Sequence, residues 1–164
     1  MKAMLLRELG PVAAGSGPLV WSDVPEPSLE QGEVLLRVMT CGVCHTELDE
    51  IEGRTPPPRL PVIPGHQVVG VVEQSASPAL RPGERVGVAW IFSACGKCKF
   101  CLSGRENLCP HFRATGRDAD GGYAEYMKVR ADFATPIPQA LSDMQAAPLL
   151  CAGAVGYRAL RLAN

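Results

Sequence analysis

Long hydrophobic runs are missing from this sequence. None of its apolar stretches could span a bilayer. The apolar start MKAMLL is broken by Arg7 and Glu8 before it reaches the length of a secretory leader, so none is expected. An excess of one charge is missing too. Sixteen Lys and Arg stand against 17 Asp and Glu, a net charge of −1. That excludes the basic footprint of a nucleic-acid binder and the polybasic patch of a membrane-surface protein. No internal repeat or low-complexity segment is present, and no G-x-G-x-x-G opens a helix. A cytoplasmic protein is expected, in a compartment where disulfides are uncommon.

Fifteen prolines and 17 glycines are plentiful, and they favour short strands joined by turns. KAMLLREL and PLVWSDVPEP read as strands, the second stopped by Pro25 and Pro27. GEVLLRVMTCGVC reads as a strand running into a glycine turn, and QVVGVVEQS as a valine-rich strand. RPGERVGVAW is a turn followed by a strand ending near Trp90, and GGYAEYMKVR is a further strand. RTPPPRLPVIPGH holds five prolines and is neither helix nor central strand; as a surface loop it delivers Gly65 and His66 to one place. From Ser142, a good N-cap, the composition turns helical as far as Asn164, with Pro148 dividing the stretch in two. The glycines of GAVG, Gly153–Gly156, are read as packing positions inside it. The expected class is mainly β with some α, the helices gathered at the C-terminal end.

Seven cysteines in a reducing compartment point to metal or catalysis. Four of them, Cys95, Cys98, Cys101 and Cys109, follow a Cys-x2-Cys-x2-Cys-x7-Cys pattern in one short charged loop. Close spacing lets successive turns aim several sulfurs at one centre, and four thiolates give zinc the closed tetrahedron of a structural site. Lys97, Lys99 and Arg105 could offset the surplus negative charge. Two disulfides would suit a secreted chain, and the spacing fits iron–sulfur runs poorly. Elsewhere, TCGVCHTELD carries Cys41, Cys44 and His45, PGHQ carries His66, and PLLCAG carries Cys151. Taken singly, each has an ordinary reading: a buried thiol, a surface histidine, or a Cys-x-x-Cys redox pair at Cys41 and Cys44.

Taken together, KAMLL, CGVCHTEL, PGHQVVGVV, the cysteine loop, GGYAEY and APLLCAG resemble the zinc-dependent medium-chain alcohol dehydrogenase family, in that family's order. The resemblance implies a GroES-like, partly open β-barrel over residues 1–150, with a structural zinc loop at 94–110 and a linking helix over 151–164. It implies a catalytic zinc held by Cys44, His66 and Cys151, an open fourth position, and a second zinc on Cys95, Cys98, Cys101 and Cys109: two Zn2+ per chain. Thr46 matches the first proton-relay hydroxyl, His45 a contact to the cofactor pyrophosphate, and Trp90 a pocket-lining aromatic. Cys41 matches no ligand and reads as a packed thiol; His111 reads as surface. The implied activity is reversible oxidation of a primary or secondary alcohol to an aldehyde or ketone by hydride transfer to NAD(P). The implied assembly is a homo-oligomer, dimer or tetramer.

The sequence departs from the family pattern at four places. Gln67 replaces a glutamate in GHE and brings no charge near the metal. Glu47 replaces an aspartate that supports the zinc ligands, with one methylene more. Asp49 stands where several members place the relay's outer histidine, and its ordinary pKa is far lower. The chain stops at RALRLAN without the family's Rossmann domain. It is therefore expected to be inactive alone and to expose apolar surface that favours association. Two other readings stay open: a zinc-bearing GroES-like structural or assembly module without catalysis, and a thiol-redox protein using Cys41 and Cys44.

Overall fold

The computed structural model describes residues 1–163. The expected helical segment's last residue, Asn164, lies outside the described residues. In chain order the strands are β1 (Lys2–Leu6), β2 (Leu19–Asp23), β3 (Glu33–Gly42), β4 (Gln67–Ser75), β5 (Arg85–Val88), β6 (Ile91–Ser93), β7 (Arg113–Ala114), β8 (Tyr126–Arg130) and β9 (Ala134–Pro136). β1 and β2 form an antiparallel pair running from Lys2↔Asp23 to Leu6↔Leu19. Five strands make the main antiparallel sheet, in the order β8-β3-β4-β5-β9. Its edge strands β8 and β9 are not paired to each other, so the barrel is open.

Period-two alternation builds the core. Val34 and Leu36 of β3, Val68 and Val72 of β4, Val86 and Val88 of β5, and Met127 and Val129 of β8 all turn to one face. Phe92 of β6 closes that cluster. Each such side chain, fully buried, is worth about 1.5–3 kcal/mol relative to exposure. The opposite face of β4 presents Val69 to the C-terminal segment.

One element departs from the sequence reading. β3 ends at Gly42, and a seven-residue helix, α1 (His45–Ile51), follows where only a turn was expected. Glu47 makes it start there. Its Oε2 accepts the backbone N–H of Cys44 at 2.7 Å, satisfying a donor that the first turn leaves open. β5 also stops at Val88, so Trp90 lies in the link to β6. The proline-rich segment forms no helix or extended strand before β4, as expected, but it is not a surface loop throughout: Val62, Ile63 and Pro64 are buried, Val62 bridges Leu6 of β1, and the segment ends on Gly65 at φ +100°. Any Cβ there would run into Tyr123 and Cys41, so only glycine lets the loop pass before His66.

At the C-terminal end Ser142 caps α2 (Asp143–Ala146), its Oγ accepting the N–H of Gln145 at 3.3 Å. A 3-10 turn, Ala147–Leu150, carries Pro148 in its first turn, and α3 (Ala152–Ala163) follows. The expected division at Pro148 is present, with Cys151 as the non-helical joint (φ −131°, ψ −77°). The packing expected of the glycines is found at one of the two. A Cβ on Gly153 would lie 2.8 Å from Leu149 Cδ2 of the preceding 3-10 turn, whereas the space beside Gly156 is open. No residue of α3 is buried among those described.

Candidate metal centres

Cys44 stands at the junction of β3 and α1, His66 at the entry to β4, and Cys151 at the joint before α3. The fold brings these three regions together. One ligand atom from each lies within 4.8 Å of the others, and the two sulfurs are 3.9 Å apart. His66 is buried, and its Nε2 has no hydrogen-bond partner among the described residues. Its Nδ1 lies 2.6 Å from Glu47 Oε1, at hydrogen-bond distance though off a straight hydrogen-bond line. Burial, then the neighbouring Cys44 sulfur, pushes the Cys151 thiol up to about 11. Two thiolates side by side therefore need a cation between them. An unpartnered buried imidazole nitrogen beside two thiols fits a zinc ion, and three donors leave one tetrahedral position open.

The surroundings of this set are mixed. Thr46 Oγ1 is 3.6 Å from Cys44 Sγ. The Trp90 ring meets the His66 ring edge-on at 4.9 Å, and the Arg117 guanidinium lies 5.8 Å from the centre of the Trp90 ring. Gln67 is buried, with its side chain folded against Gly42. Asp49 is differently placed from a free relay group. Its Oδ1 pairs with Arg54 and stands 3.4 Å from Nδ1 of the exposed His45. Arg54 holds that carboxylate below its usual range, which makes it a poor proton acceptor. The Cys41 thiol is pushed up to about 12, chiefly by burial. That is the behaviour of a packed thiol, opposite to the low pKa a redox pair needs. His111 is exposed.

Two residues escaped the sequence reading. Glu50 is buried on α1 beside Glu47, and neither of its oxygens has a partner. Desolvation first, then Glu47, pushes its carboxyl up to about 8, against an opposing pull from Arg117. Tyr123 has a buried hydroxyl without a partner and packs against Gly65. Its pKa is raised, by burial before any neighbouring charge. The trace of Glu50 in the sequence is the Glu-x-x-Glu spacing on one side of a helix that was not foreseen, and Tyr123 lies in the GGYAEY segment, which by itself gave it no role.

The four cysteines of the loop also converge. Cys95, Cys98, Cys101 and Cys109 place their sulfurs within 4.8 Å of one another, at 3.6 Å for Cys98–Cys101 and 3.9 Å for Cys95–Cys101. β6 and β7 pair at the base of the loop. Backbone N–H groups aim at the sulfurs: Cys95 N and His111 N donate to Cys109 Sγ at 3.4 and 3.3 Å. N–H groups of Lys97 and Cys98 pull the Cys95 thiol down to about 6, while burial pushes Cys101 up to about 12. Four sulfurs facing one centre suit a closed metal site with no position for substrate.

Residues 30–139 match the family described as alcohol dehydrogenase GroES-like domain. An alcohol dehydrogenase of Geobacillus stearothermophilus is 48% identical over 145 residues, covering 87% of this chain and 43% of that protein. A cinnamyl alcohol dehydrogenase from Sorghum bicolor superposes with a TM-score of 0.85 at 31% identity, covering 98% of this chain and 47% of that one. An NAD-dependent alcohol dehydrogenase superposes with a TM-score of 0.80 at 30% identity, covering 92% and 43%. The chain thus spans less than half the length of each of these relatives. With its fold, its matched segment and its overall similarity in agreement, the chain belongs to the alcohol dehydrogenase GroES-like domain family.

Proposed function

We propose that this chain is the zinc-bearing part of an alcohol oxidoreductase, which interconverts a primary or secondary alcohol and its aldehyde or ketone with NAD(P). The observation that carries this reading is the convergence of Cys44, His66 and Cys151 into a set with one coordination position to spare. A scaffold needs no such opening. Zinc in that set would supply Lewis acidity toward an alcohol or carbonyl oxygen, and a nicotinamide would take or return the hydride.

The chain's own residues do the rest. Glu47 orients His66 through Nδ1, leaving Nε2 free to ligate. The Thr46 hydroxyl, beside Cys44, hydrogen-bonds the substrate oxygen and passes its proton outward. Trp90 walls the His66 side and favours small or slender alcohols. Gln67, buried and uncharged, adds only an amide at the rim. Asp49 is engaged by Arg54, so the proton leaves Thr46 through water instead. His45, exposed at the start of α1, turns its Nδ1 toward Asp49 and would meet a cofactor phosphate through Nε2. Cys95, Cys98, Cys101 and Cys109 hold a second zinc that stiffens the loop.

Elemental analysis of chelator-free protein tests this reading. Two zincs per chain are expected. Cys44→Ser, His66→Ala or Cys151→Ser should each remove one and leave the other. Full zinc content in all three variants would overturn the ligand set.

A further inference from the structure

Cys151 reaches the mixed-ligand set from far along the chain, 107 residues after Cys44, yet the two sulfurs stand 3.9 Å apart. Something must fix that reach. The sheet supplies a seat for the segment that carries it. Val69, three residues after His66 on β4, is the direct cross-strand partner of Gly87 on β5. Directly opposed residues of an antiparallel pair present their side chains on the same face. On this face Val69 packs with Ala146 and Ala147, and Ile137, Leu141 and Leu150 complete the cluster.

Gly87 leaves the room that Leu150 occupies. A Cβ at position 87 would lie 2.7 Å from Ile137 Cδ1 and 2.8 Å from Leu150 Cδ2, closer than carbons approach. Leu150 immediately precedes Cys151. Two residues earlier on β5, and so on the same face, Arg85 fastens the other end of the segment. Its Nε donates to Asp143 Oδ1 at 2.7 Å, its Nη2 to the Leu141 carbonyl at 2.8 Å and its Nη1 to the Pro138 carbonyl at 3.3 Å. The stretch from Ser142 to Leu150 is thus tied at its start and seated at its end by one strand. That strand is hydrogen-bonded to β4, whose first residue follows His66.

We infer that Gly87 and Arg85 are positioning residues for the mixed-ligand metal set: together they fix how far Cys151 Sγ stands from His66 and Cys44. The inference rests on the reading of Cys44, His66 and Cys151 as one ligand set. A Cβ at position 87 must push aside the ends of the Ile137 and Leu150 side chains, and a branched side chain such as valine takes the seat of Leu150 and draws Cys151 away. Loss of the Arg85 guanidinium loosens the same segment from its other end.

Cobalt(II) replaces zinc in the test, because thiolate–cobalt absorption reports each sulfur ligand directly. The 164-residue chain is titrated in wild-type form and as Cys151→Ser, Gly87→Val, Arg85→Met, Arg85→Lys and the double variant Gly87→Ala/Leu150→Val. Gly87→Val and Arg85→Met should bind cobalt at the mixed set about ten- to a hundredfold more weakly, the range for lost supporting contacts. Their spectra should move toward that of Cys151→Ser. Arg85→Lys should fall between, and the double variant, with space returned, should bind close to wild type. A circular dichroism spectrum and a urea midpoint close to wild type show that the fold is intact in each case. If Cys151→Ser itself binds and absorbs like wild type, the ligand reading fails. If Cys151→Ser differs but Arg85→Met and Gly87→Val both behave as wild type, the positioning role alone fails.

Discussion

One carboxylate, that of Glu47, serves two of the three ligands in the mixed set. Its Oε2 caps α1 at the Cys44 N–H, and its Oε1 lies against Nδ1 of His66. Glu47→Gln keeps an acceptor for the cap but loses the charge facing the imidazole. It is expected to weaken metal binding about tenfold or more with little change in helix content, checked by competition with a chromogenic chelator and by circular dichroism. Glu50 predicts a pH effect of definite sign. Its folded pKa of about 8 lies above the ordinary 4.5, so between those values the folded state holds a proton that the unfolded state has lost. Its contribution therefore falls as pH rises through that window, by up to about 1.4 kcal/mol per pH unit, and stays lost above it. Glu50→Gln should flatten that slope and make the chain more stable than wild type at pH 8 and above, as read from urea unfolding at pH 5, 7 and 9. An equally steep decline in the variant would remove Glu50 from the account.

At the level of elements, the cysteine loop and the mixed set differ in how they are held, and so in how they respond to a chelator. The loop from Ala94 to Cys109 carries only short 3-10 turns between β6 and β7, while the sheet beneath it has a valine core. Chelation should make the loop cleavable by trypsin at Lys97, Lys99 or Arg105 and leave the β3–β4–β5 core protected; digestion followed by mass spectrometry reads this directly. The strands were readable in the sequence because Val34/Leu36, Val68/Val72 and Val86/Val88 repeat with period two. The proline break at Pro148 was readable as well. α1 was not: it is seven residues long, too short to show a helical period, and it starts on a cysteine, a residue that sequence rules do not rank as a cap. The four-cysteine cluster was visible in its spacing alone. The gathering of Cys44, His66 and Cys151 was not, since no local pattern joins them and only the family resemblance suggested it. The sequence set Asp49 at the relay's outer position with a low ordinary pKa, but its pairing with Arg54 depends on how the chain turns after α1 and was not legible. The role of Gly87 was not legible either, because Leu150 comes to lie beside it only in the folded chain.

For the molecule as a whole, α3 is the helix that buries none of its described residues. Val155, Tyr157, Leu160 and Leu162 all stand exposed along it, Leu160 at 67%. We propose that the chain associates through these apolar residues. Leu160→Lys with Leu162→Lys should shift the chain toward monomer in sedimentation velocity, with zinc content unchanged. No change in sedimentation would exclude α3 as the contact. No helix among the described residues is long and apolar enough to cross a membrane. The two metal centres also differ in the span of chain that each must close. The loop joins cysteines 14 residues apart, whereas the mixed set joins sulfurs 107 apart. Closing the longer span costs roughly 2 kcal/mol more in chain entropy, on a logarithmic dependence on length. During synthesis the loop can capture its ion as soon as Cys109 has emerged from the ribosome. The mixed set must wait for Cys151 to emerge and for the segment behind it to settle on β5. The order in which the two centres could take up metal is thus written into the chain.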